Sequence, residues 1–203
     1  MMAKLMSLFL LGLIRALTGA QARWQGCPPK AEQRIYFANH QSHADLVLMW
    51  AALPEELRSI TRPIAAKDYW TKTPFKQWLT TAVFNAIYVD RAKTGDQDPL
   101  EPLIDALGSG DSIILFPEGT RGNQEEPQKF KSGLYNLAQK FPDVVLVPAW
   151  INNVQRVMPK GEVVPVPILC SVTFGVPIGL KVDESRADFL TRARDAVMGL
   201  RQS

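Results

Sequence analysis

The sequence predicts an α/β fold: a single domain with a largely parallel central sheet flanked by helices, with an N-terminal membrane-associating helix. Three observations predict it. The chain of 203 residues is long enough to bury one sizeable core and short for two. Short apolar segments alternate with segments of helical periodicity, which is typical of parallel sheets connected by helices. Finally, residues 5–14 form an almost uninterrupted apolar run between two basic residues.

The N-terminal segment, residues 1–30, is predicted to anchor the protein to a membrane surface. Its apolar run has ten residues between Lys4 and Arg15, whereas a helix needs about 20 to span a bilayer. The run therefore predicts a monotopic anchor, in which Arg15 snorkels and Trp24 lies at headgroup level. Two alternatives remain, a signal peptide cleaved after residues 20–22 and a plain core helix. The charge of Arg15 directly after the apolar run disfavours the signal peptide.

The positive charge of the chain is concentrated at its N-terminus. Residues 1–34 contain five basic side chains and one acidic side chain, whereas the formal net charge of the whole chain is +3. The rest of the chain therefore carries almost no net charge and has no basic stripe. This distribution favours an anionic lipid leaflet as a partner and disfavours nucleic acid.

The remaining domain, residues 31–203, is predicted to alternate between strands and helices. Strands are predicted at 34–39, 64–67, 84–89, 112–116, 144–151 and 168–174. Helices are predicted at 42–53, from 74 to about 79, and at 99–107, 134–140 and 185–200. Pro54 and Gly108 end two of these helices, while Pro74 and Ser185 fit the start of two others. The polar stretch 119–128 is predicted to be a loop at the carboxyl end of a strand, where ligands bind in such sheets.

The cysteines and histidines limit the chemistry that the chain can support. Two cysteines, Cys27 and Cys170, and two histidines occur, without a CxxC spacing. This set predicts neither a disulfide framework nor a metal site, and it fits a reducing compartment.

The first segment with catalytic potential follows the strand at 34–39 and contains His40 and Asp45. In a regular helix, residues five apart point about 140° away from each other. If His40 instead precedes the helix and Asp45 lies in its first turn, the carboxylate can accept the Nδ1–H of the imidazole. The free Nε2 is then a base for a hydroxyl group. The alternative is a hydrogen-bonded loop histidine beside an acid that stabilises a helix start. His43 is the competing base, and we expect it to be structural or exposed.

The second segment is Phe116-Pro117-Glu118-Gly119-Thr120-Arg121, in which an apolar strand ends abruptly in a proline, a carboxylate, a glycine and a cation. The simpler interpretation is a strand-to-loop turn with a surface ion pair between Glu118 and Arg121, worth about 0–1 kcal/mol.

Taken together, the segments resemble the 1-acylglycerol-3-phosphate O-acyltransferases and their glycerolipid acyltransferase relatives. Four motifs of that family match in order. They are the histidine–four–aspartate pair at 40 and 45, an apolar strand ending in acid–arginine at 87–91, Phe-Pro-Glu-Gly-Thr-Arg at 116–121, and an apolar stretch around a proline at 146–149. The resemblance covers about residues 33–178, within an acyltransferase domain at 31–203. Asn85, Ala86 and Trp150 depart from the family pattern at places where the acceptor shape could be decided.

The resemblance implies a role for each matched residue. It implies that His40 is the general base and then the acid toward the leaving thiolate, with Asp45 as its orienting partner. It further implies that Arg91 and Arg121 clamp a phosphate through their guanidinium forks. The simpler interpretation of these arginines is surface pairing with neighbouring acids. Within the third motif, Glu118 is implied to orient the loop or to bind an acceptor hydroxyl, Gly119 to permit close backbone approach, and Thr120 to bind substrate. Lys67 and Lys131 are weaker candidates for binding phosphate or coenzyme A.

The implied reaction is transfer of a fatty acyl group from an acyl thioester to the free hydroxyl of 1-acyl-sn-glycerol-3-phosphate, forming phosphatidate. The acyl donor would be acyl-CoA or acyl carrier protein, and no cofactor or metal is expected. The expected partners are a lysophospholipid acceptor and an anionic leaflet, at the cytoplasmic face of the inner or cell membrane, and not nucleic acid. Two alternatives remain open. One is the same chemistry on another lysophospholipid, glycerol 3-phosphate or a lyso-aminolipid, and the other is a lipid-binding relative without turnover.

Overall fold

The computed structural model describes residues 2–19, 21–42, 44–90, 98–122, 126–152 and 169–201. Within these ranges, seven strands form one sheet. They are β1 Gln21–Trp24, β2 Arg34–Ala38, β3 Thr61–Ala66, β4 Ile87–Val89, β5 Ser112–Leu115, β6 Val145–Asn152 and β7 Ser171–Phe174. Their order across the sheet is β1-β7-β6-β2-β5-β3-β4. Only β6 and β7 pair in antiparallel fashion within the described sheet, so the predicted, largely parallel α/β fold is confirmed.

Helices connect most of these strands. They are α1 Met2–Thr18, α2 Ala44–Ala52, α3 Glu55–Ser59, α4 Lys67–Trp70, α5 Pro74–Trp78, α6 Glu101–Gly108, α7 Gly133–Lys140 and α8 Arg186–Met198. A π-helical turn, Leu79–Val83, directly continues α5. As predicted, Pro74 lies in the first turn of its helix, and the Ser185 hydroxyl caps α8 by accepting the N–H of Asp188 at 3.1 Å.

The sheet separates two hydrophobic cores, because successive side chains of a strand point to opposite faces. In the fully buried strand β2, Tyr36 and Ala38 belong to one core and Ile35 and Phe37 to the other. Helix α2 covers the first face together with part of α1, while α6, α7 and α8 cover the second. The domain is therefore a sheet between two helical layers, and the central strand β2 is fixed on both faces.

The structure corrects several predicted element boundaries. Strand β1 was not predicted, although it lies within the 1–30 stretch and pairs in parallel with β7. Strand β3 begins three residues earlier than predicted and ends at Ala66, where α4 starts. Strand β4 is shorter than predicted because the π-helical turn extends to Val83 and Asn85, two residues later, adopts a left-handed conformation with φ 49°.

Helix α1 forms where the apolar run predicted it and has two different apolar faces. Leu11 is buried, and Leu10 and Ile14 pack against the first core. On the other side, Leu5 and Phe9 are 60% and 63% exposed. Among the described residues, no helix combines the length and the apolar character that crossing a membrane requires. The role of α1 at a membrane surface therefore stays a prediction.

Candidate active site

Three neighbouring strands bring the predicted site residues to one edge of the sheet. Strands β2, β5 and β3 are adjacent and parallel, so their carboxyl ends lie side by side. His40 follows β2, the segment 116–121 follows β5, and α4 follows β3. This is the position at which parallel α/β sheets bind ligands.

His40 and Asp45 form a hydrogen-bonded pair. The distance from the His40 Nδ1 to the Asp45 Oδ2 is 2.8 Å, with side chains that are 19% and 1% exposed. His40 precedes α2 and Asp45 lies in the first turn of that helix, which is the arrangement that the sequence required for the two side chains to meet.

The turn between these residues fixes the tautomer of the histidine. The same Asp45 Oδ2 accepts the backbone N–H of Gln41 at 2.6 Å and of Ser42 at 2.8 Å. An oxygen that accepts two backbone N–H groups acts as a carboxylate acceptor, so the third partner, the His40 Nδ1, carries a proton and donates it. The Nε2 atom of a neutral imidazole is then an acceptor and can take a proton.

Two further side chains, whose roles the sequence did not reveal, hold this histidine in place. The ring of Phe116 stacks on the imidazole, with centroids 4.4 Å apart and an angle of 18° between the planes. The buried amide of Asn39 bridges to β6, donating to the Ile151 carbonyl at 3.1 Å and accepting its N–H at 2.8 Å. Position 39 is therefore tied to the next strand, and position 40 is packed against the segment that follows β5.

Glu118 connects the loops around the site instead of facing a ligand. It is 2% exposed, and its Oε1 and Oε2 accept the backbone N–H groups of His40 at 2.7 Å and Gln128 at 2.8 Å. The His40 carbonyl in turn accepts the N–H of Gly122 at 2.8 Å. Burial raises the pKa of Glu118, while the two backbone N–H groups act in the opposite direction. The geometry favours the loop-orienting alternative, and the burial of Glu118 argues against a surface ion pair with Arg121.

Gly119 has a backbone conformation that favours glycine, and the side chain of Lys131 lies close to it. Its φ is +69°, in the left-handed region, and a Cβ atom would lie 2.7 Å from the Nζ of Lys131. The Lys131 backbone N–H donates to the Pro117 carbonyl at 2.8 Å. The side chain of Lys131 therefore crosses the loop directly over Gly119.

His40 and Arg121 line the same cavity, which has a volume of about 250 Å³. Its described wall also contains Phe116 and, from the segment after β3, Tyr69, Trp70 and Lys72. Lys67, the lysine predicted to bind substrate, is exposed at the first position of α4 and is not among the described wall residues. The lysine of this segment that lines the cavity is Lys72. The full set of wall residues is His40, Leu46, Ile64, Ala66, Asp68, Tyr69, Trp70, Lys72, Phe116 and Arg121.

Some of the residues singled out from the sequence lie outside the described part of the chain, and others lie outside the described wall of the cavity. Arg91 and His43 lie outside the described residues. Thr120 is exposed. Ala86 and Trp150 are two of the departures from the family pattern. Ala86 is buried in the first core and Trp150 in the second, so both side chains contribute to core packing.

Comparisons with known proteins identify relatives of this chain. The family model described as "Acyltransferase" matches residues 25–152, more than half of the chain. A protein named Taffazin from Dictyostelium discoideum is 29% identical over 74% of this chain and 54% of its own length. The 1-acyl-sn-glycerol-3-phosphate acyltransferase alpha of Bos taurus is 30% identical over 89% of this chain and 63% of its own length. The corresponding protein of Mus musculus is 30% identical over 66% of this chain and 45% of its own.

The chain thus spans about half the length of the curated relatives it matches. The fold also has a solved counterpart, the 1-acyl-sn-glycerophosphate (LPA) acyltransferase PlsC from Thermotoga maritima. The two superpose with a TM-score of 0.72 at 22% identity, over 99% of this chain and 80% of that one. The motif resemblance is confirmed: the chain belongs to the acyltransferase family that includes the 1-acylglycerol-3-phosphate O-acyltransferases.

Proposed function

We propose that the protein transfers a fatty acyl group from an acyl thioester to the free hydroxyl of 1-acyl-sn-glycerol-3-phosphate, forming phosphatidate and a free thiol. One observation carries this proposal: His40, which is hydrogen-bonded to Asp45, lines the same cavity as Arg121. A base and a phosphate-binding cation in a shared cavity are what an anionic acceptor with a free hydroxyl requires.

The reaction follows from the proton positions in the pair. The His40 Nε2 takes the proton of the acceptor hydroxyl while the oxygen attacks the thioester carbonyl, giving a tetrahedral intermediate. The carbon–sulfur bond then breaks, and the imidazolium returns the proton to the departing thiolate. Asp45 keeps the imidazole in the productive tautomer and stabilises its cationic form. A thioester is already activated, so this route needs no metal and no cofactor beyond the acyl-CoA or acyl carrier protein co-substrate.

The acyl group passes directly from donor to acceptor in this proposal. Cys27 and Cys170 are buried, and burial raises the pKa of both thiols, that of Cys170 to about 11. Neither thiol is therefore a thiolate at neutral pH, the form that a cysteine nucleophile requires.

The acceptor phosphate is assigned to Arg121, whose guanidinium presents two parallel N–H donors to a phosphate. Lys131, lying over Gly119 in the same loop, is a second candidate cation. The proposal also includes Arg91 as a second arginine of the phosphate clamp. It includes Lys67 and Thr120 as further contacts to the substrates.

We also assign the protein to the surface of an anionic leaflet, as a monotopic protein at the cytoplasmic face of the inner or cell membrane. The exposed Leu5 and Phe9 of α1 support this assignment, because apolar side chains can enter the headgroup region of a leaflet. The exposed Lys4 and Arg15 flank them and can pair with anionic headgroups. Both lipids of the reaction partition into the bilayer, while the thioester carrier is water-soluble.

A second candidate function is the same chemistry on another acceptor, such as a different lysophospholipid, glycerol 3-phosphate or a lyso-aminolipid. The match to a relative named Taffazin supports keeping this candidate, because that name differs from those of the other relatives described.

The test is an acyl-transfer assay with purified protein, radiolabelled acyl-CoA and a panel of lyso-acceptors, analysed by thin-layer chromatography. We expect labelled phosphatidate as the main product. The variant His40→Ala should lower turnover by at least about 10²-fold, the lower end of general-base contributions. Full activity of that variant would overturn the mechanism, and preference for another acceptor would favour the second candidate. Thiol release without any acceptor dependence would indicate a thioesterase.

A further inference from the structure

Residues 67–78, which we call the rim, are rich in aromatic and basic side chains, and part of this segment lines the cavity. Tyr69, Trp70 and Lys72 lie in the cavity wall. The chain then continues into α5, which carries Phe75 and Trp78. In this segment, the family resemblance implies a role for Lys67 alone.

Helix α5 is a rigid platform for two outward-facing rings. The Thr73 hydroxyl accepts the Lys76 N–H at 3.2 Å, and Pro74 occupies the first turn, so the start of the helix is fixed. Phe75 is 61% exposed and Trp78 is partly exposed, three residues further along the helix. Their ring centroids lie 6.3 Å apart. Two neighbouring aromatic rings are therefore partly in contact with water, shortly after the segment that lines the cavity, and a partner that covered them would remove this exposure.

The charge around these rings is positive. The segment contains three lysines, Lys67, Lys72 and Lys76, and one acid, Asp68. The Nζ of Lys76 lies 4.0 Å from the centroid of the Tyr69 ring, which holds this cation among the aromatic side chains. Aromatic rings interleaved with lysines are the composition that proteins place at the headgroup level of anionic membranes.

The element that follows the rim packs against α1. Helix α1 packs against the π-helical turn Leu79–Val83, which directly continues α5. The exposed side chains Leu5 and Phe9 of α1 and Phe75 of α5 therefore belong to neighbouring elements. An apolar area divided between two elements can rest on one flat surface, and this fixes the orientation of the protein better than a single helix does.

The cavity is too small to enclose the acyl chains of the substrates as well as their reacting groups. A cavity of about 250 Å³ lies below the range of about 300–1,000 Å³ that encloses a whole drug-sized ligand. It suits a glycerol phosphate headgroup with the reacting atoms, so the acyl chains have to leave through the mouth. Chains that leave into lipid instead of water avoid the cost of exposing their apolar surface.

We propose that residues 67–78 form a second lipid-contact surface, which docks on an anionic leaflet and turns the mouth of the cavity toward the headgroups. The entry of a lipid acceptor through this mouth rests on the proposed function. The docking itself does not, and it can be measured without any turnover.

The experiment measures co-sedimentation of the full chain with vesicles of phosphatidylcholine alone and of phosphatidylcholine with phosphatidylglycerol. We expect the double variant Phe75→Ser, Trp78→Ser to bind both vesicle types at least about tenfold more weakly, given the apolar area lost. Lys76→Gln should weaken binding about fivefold on anionic vesicles and leave it unchanged on neutral ones. The matched control is Val182→Ser, because Val182 is 92% exposed in a turn away from this surface. Circular dichroism and Tm establish that each variant is folded.

Wild-type vesicle affinity in the folded double variant would overturn the proposal, whether or not the protein transfers acyl groups. If the protein has no acyltransferase activity but the double variant still binds vesicles more weakly, the proposed function fails and the lipid surface stands. If Lys76→Gln leaves vesicle binding unchanged and raises the KM for an acyl carrier protein thioester, the lysines serve the carrier and the membrane proposal is wrong.

Discussion

The substitution Asp45→Asn removes one charge from the site while keeping its shape, which makes it the sharpest test of the His40–Asp45 pair. An asparagine oxygen in the position of Oδ2 can still accept the N–H groups of His40, Gln41 and Ser42. The NH₂ group then replaces Oδ1, which has no hydrogen-bond partner among the described residues. The variant should therefore fold and keep the neutral tautomer, with a modest loss of Tm.

The expected loss of activity follows from the distance in the pair. The His40 Nδ1 and the Asp45 Oδ2 are 2.8 Å apart, which puts the two charge centres about 4 Å apart once the imidazole is protonated. At an effective dielectric constant of about 20, this interaction is worth about 4 kcal/mol. Because the imidazolium forms during the reaction, the loss should appear in kcat, as a decrease of about 10³-fold.

The assay is steady-state thiol release with lysophosphatidate as the acceptor. The matched control is Asp111→Asn, which removes a partly exposed carboxylate that pairs with Arg62 at 3.2 Å, outside the described wall of the cavity. That pair is worth about 0–1 kcal/mol, and kcat should not change. A folded Asp45→Asn variant with a kcat within about tenfold of the wild type would refute the reasoning.

Three further predictions address the loop, the phosphate and the pH dependence of stability. Gly119→Ala should lower Tm by about 2–8 °C, because an alanine in the left-handed conformation costs about 1–2 kcal/mol and its Cβ would displace the Lys131 side chain. An unchanged Tm in thermal melting would contradict the left-handed conformation of residue 119. Arg121→Ala should raise the KM for lysophosphatidate about 10–100-fold, and unchanged KM and kcat would remove the phosphate clamp from the account. Hydrogen bonding to Arg192 lowers the pKa of Glu184 from 4.5 to about 2, so the stability from this depressed carboxyl is present above pH 4.5 and is lost as the pH falls toward 2. Glu184→Gln should therefore be less stable than the wild type at pH 7 and equally stable at pH 2, and denaturant melts with a constant difference across this range would argue against the pair.

The parts of the fold that were predictable depend on local patterns. The apolar runs at β2, β5 and β6 are largely buried, so their composition alone identifies them as strands in the centre of the sheet. By contrast, β1 has four residues of mixed polarity and exists through its pairing with β7, about 150 positions away. Contacts at such separations leave no local signal.

The same distinction applies to the site. The spacing of His40 and Asp45 predicted their contact because the short turn between them can be reasoned through locally. The positions of Phe116 on the imidazole and of Asn39 on the Ile151 backbone depend on neighbouring strands that come from distant parts of the chain. The role of Glu118 as a support for two loops likewise became clear only once its partners were placed.

A crystal structure of the protein with bound lysophosphatidate would test the central claim most directly. The account predicts the phosphate on the guanidinium of Arg121 and the free hydroxyl oxygen within about 3.2 Å of the His40 Nε2. A phosphate bound away from Arg121, with the hydroxyl beyond the reach of His40 even through one water molecule, would contradict it.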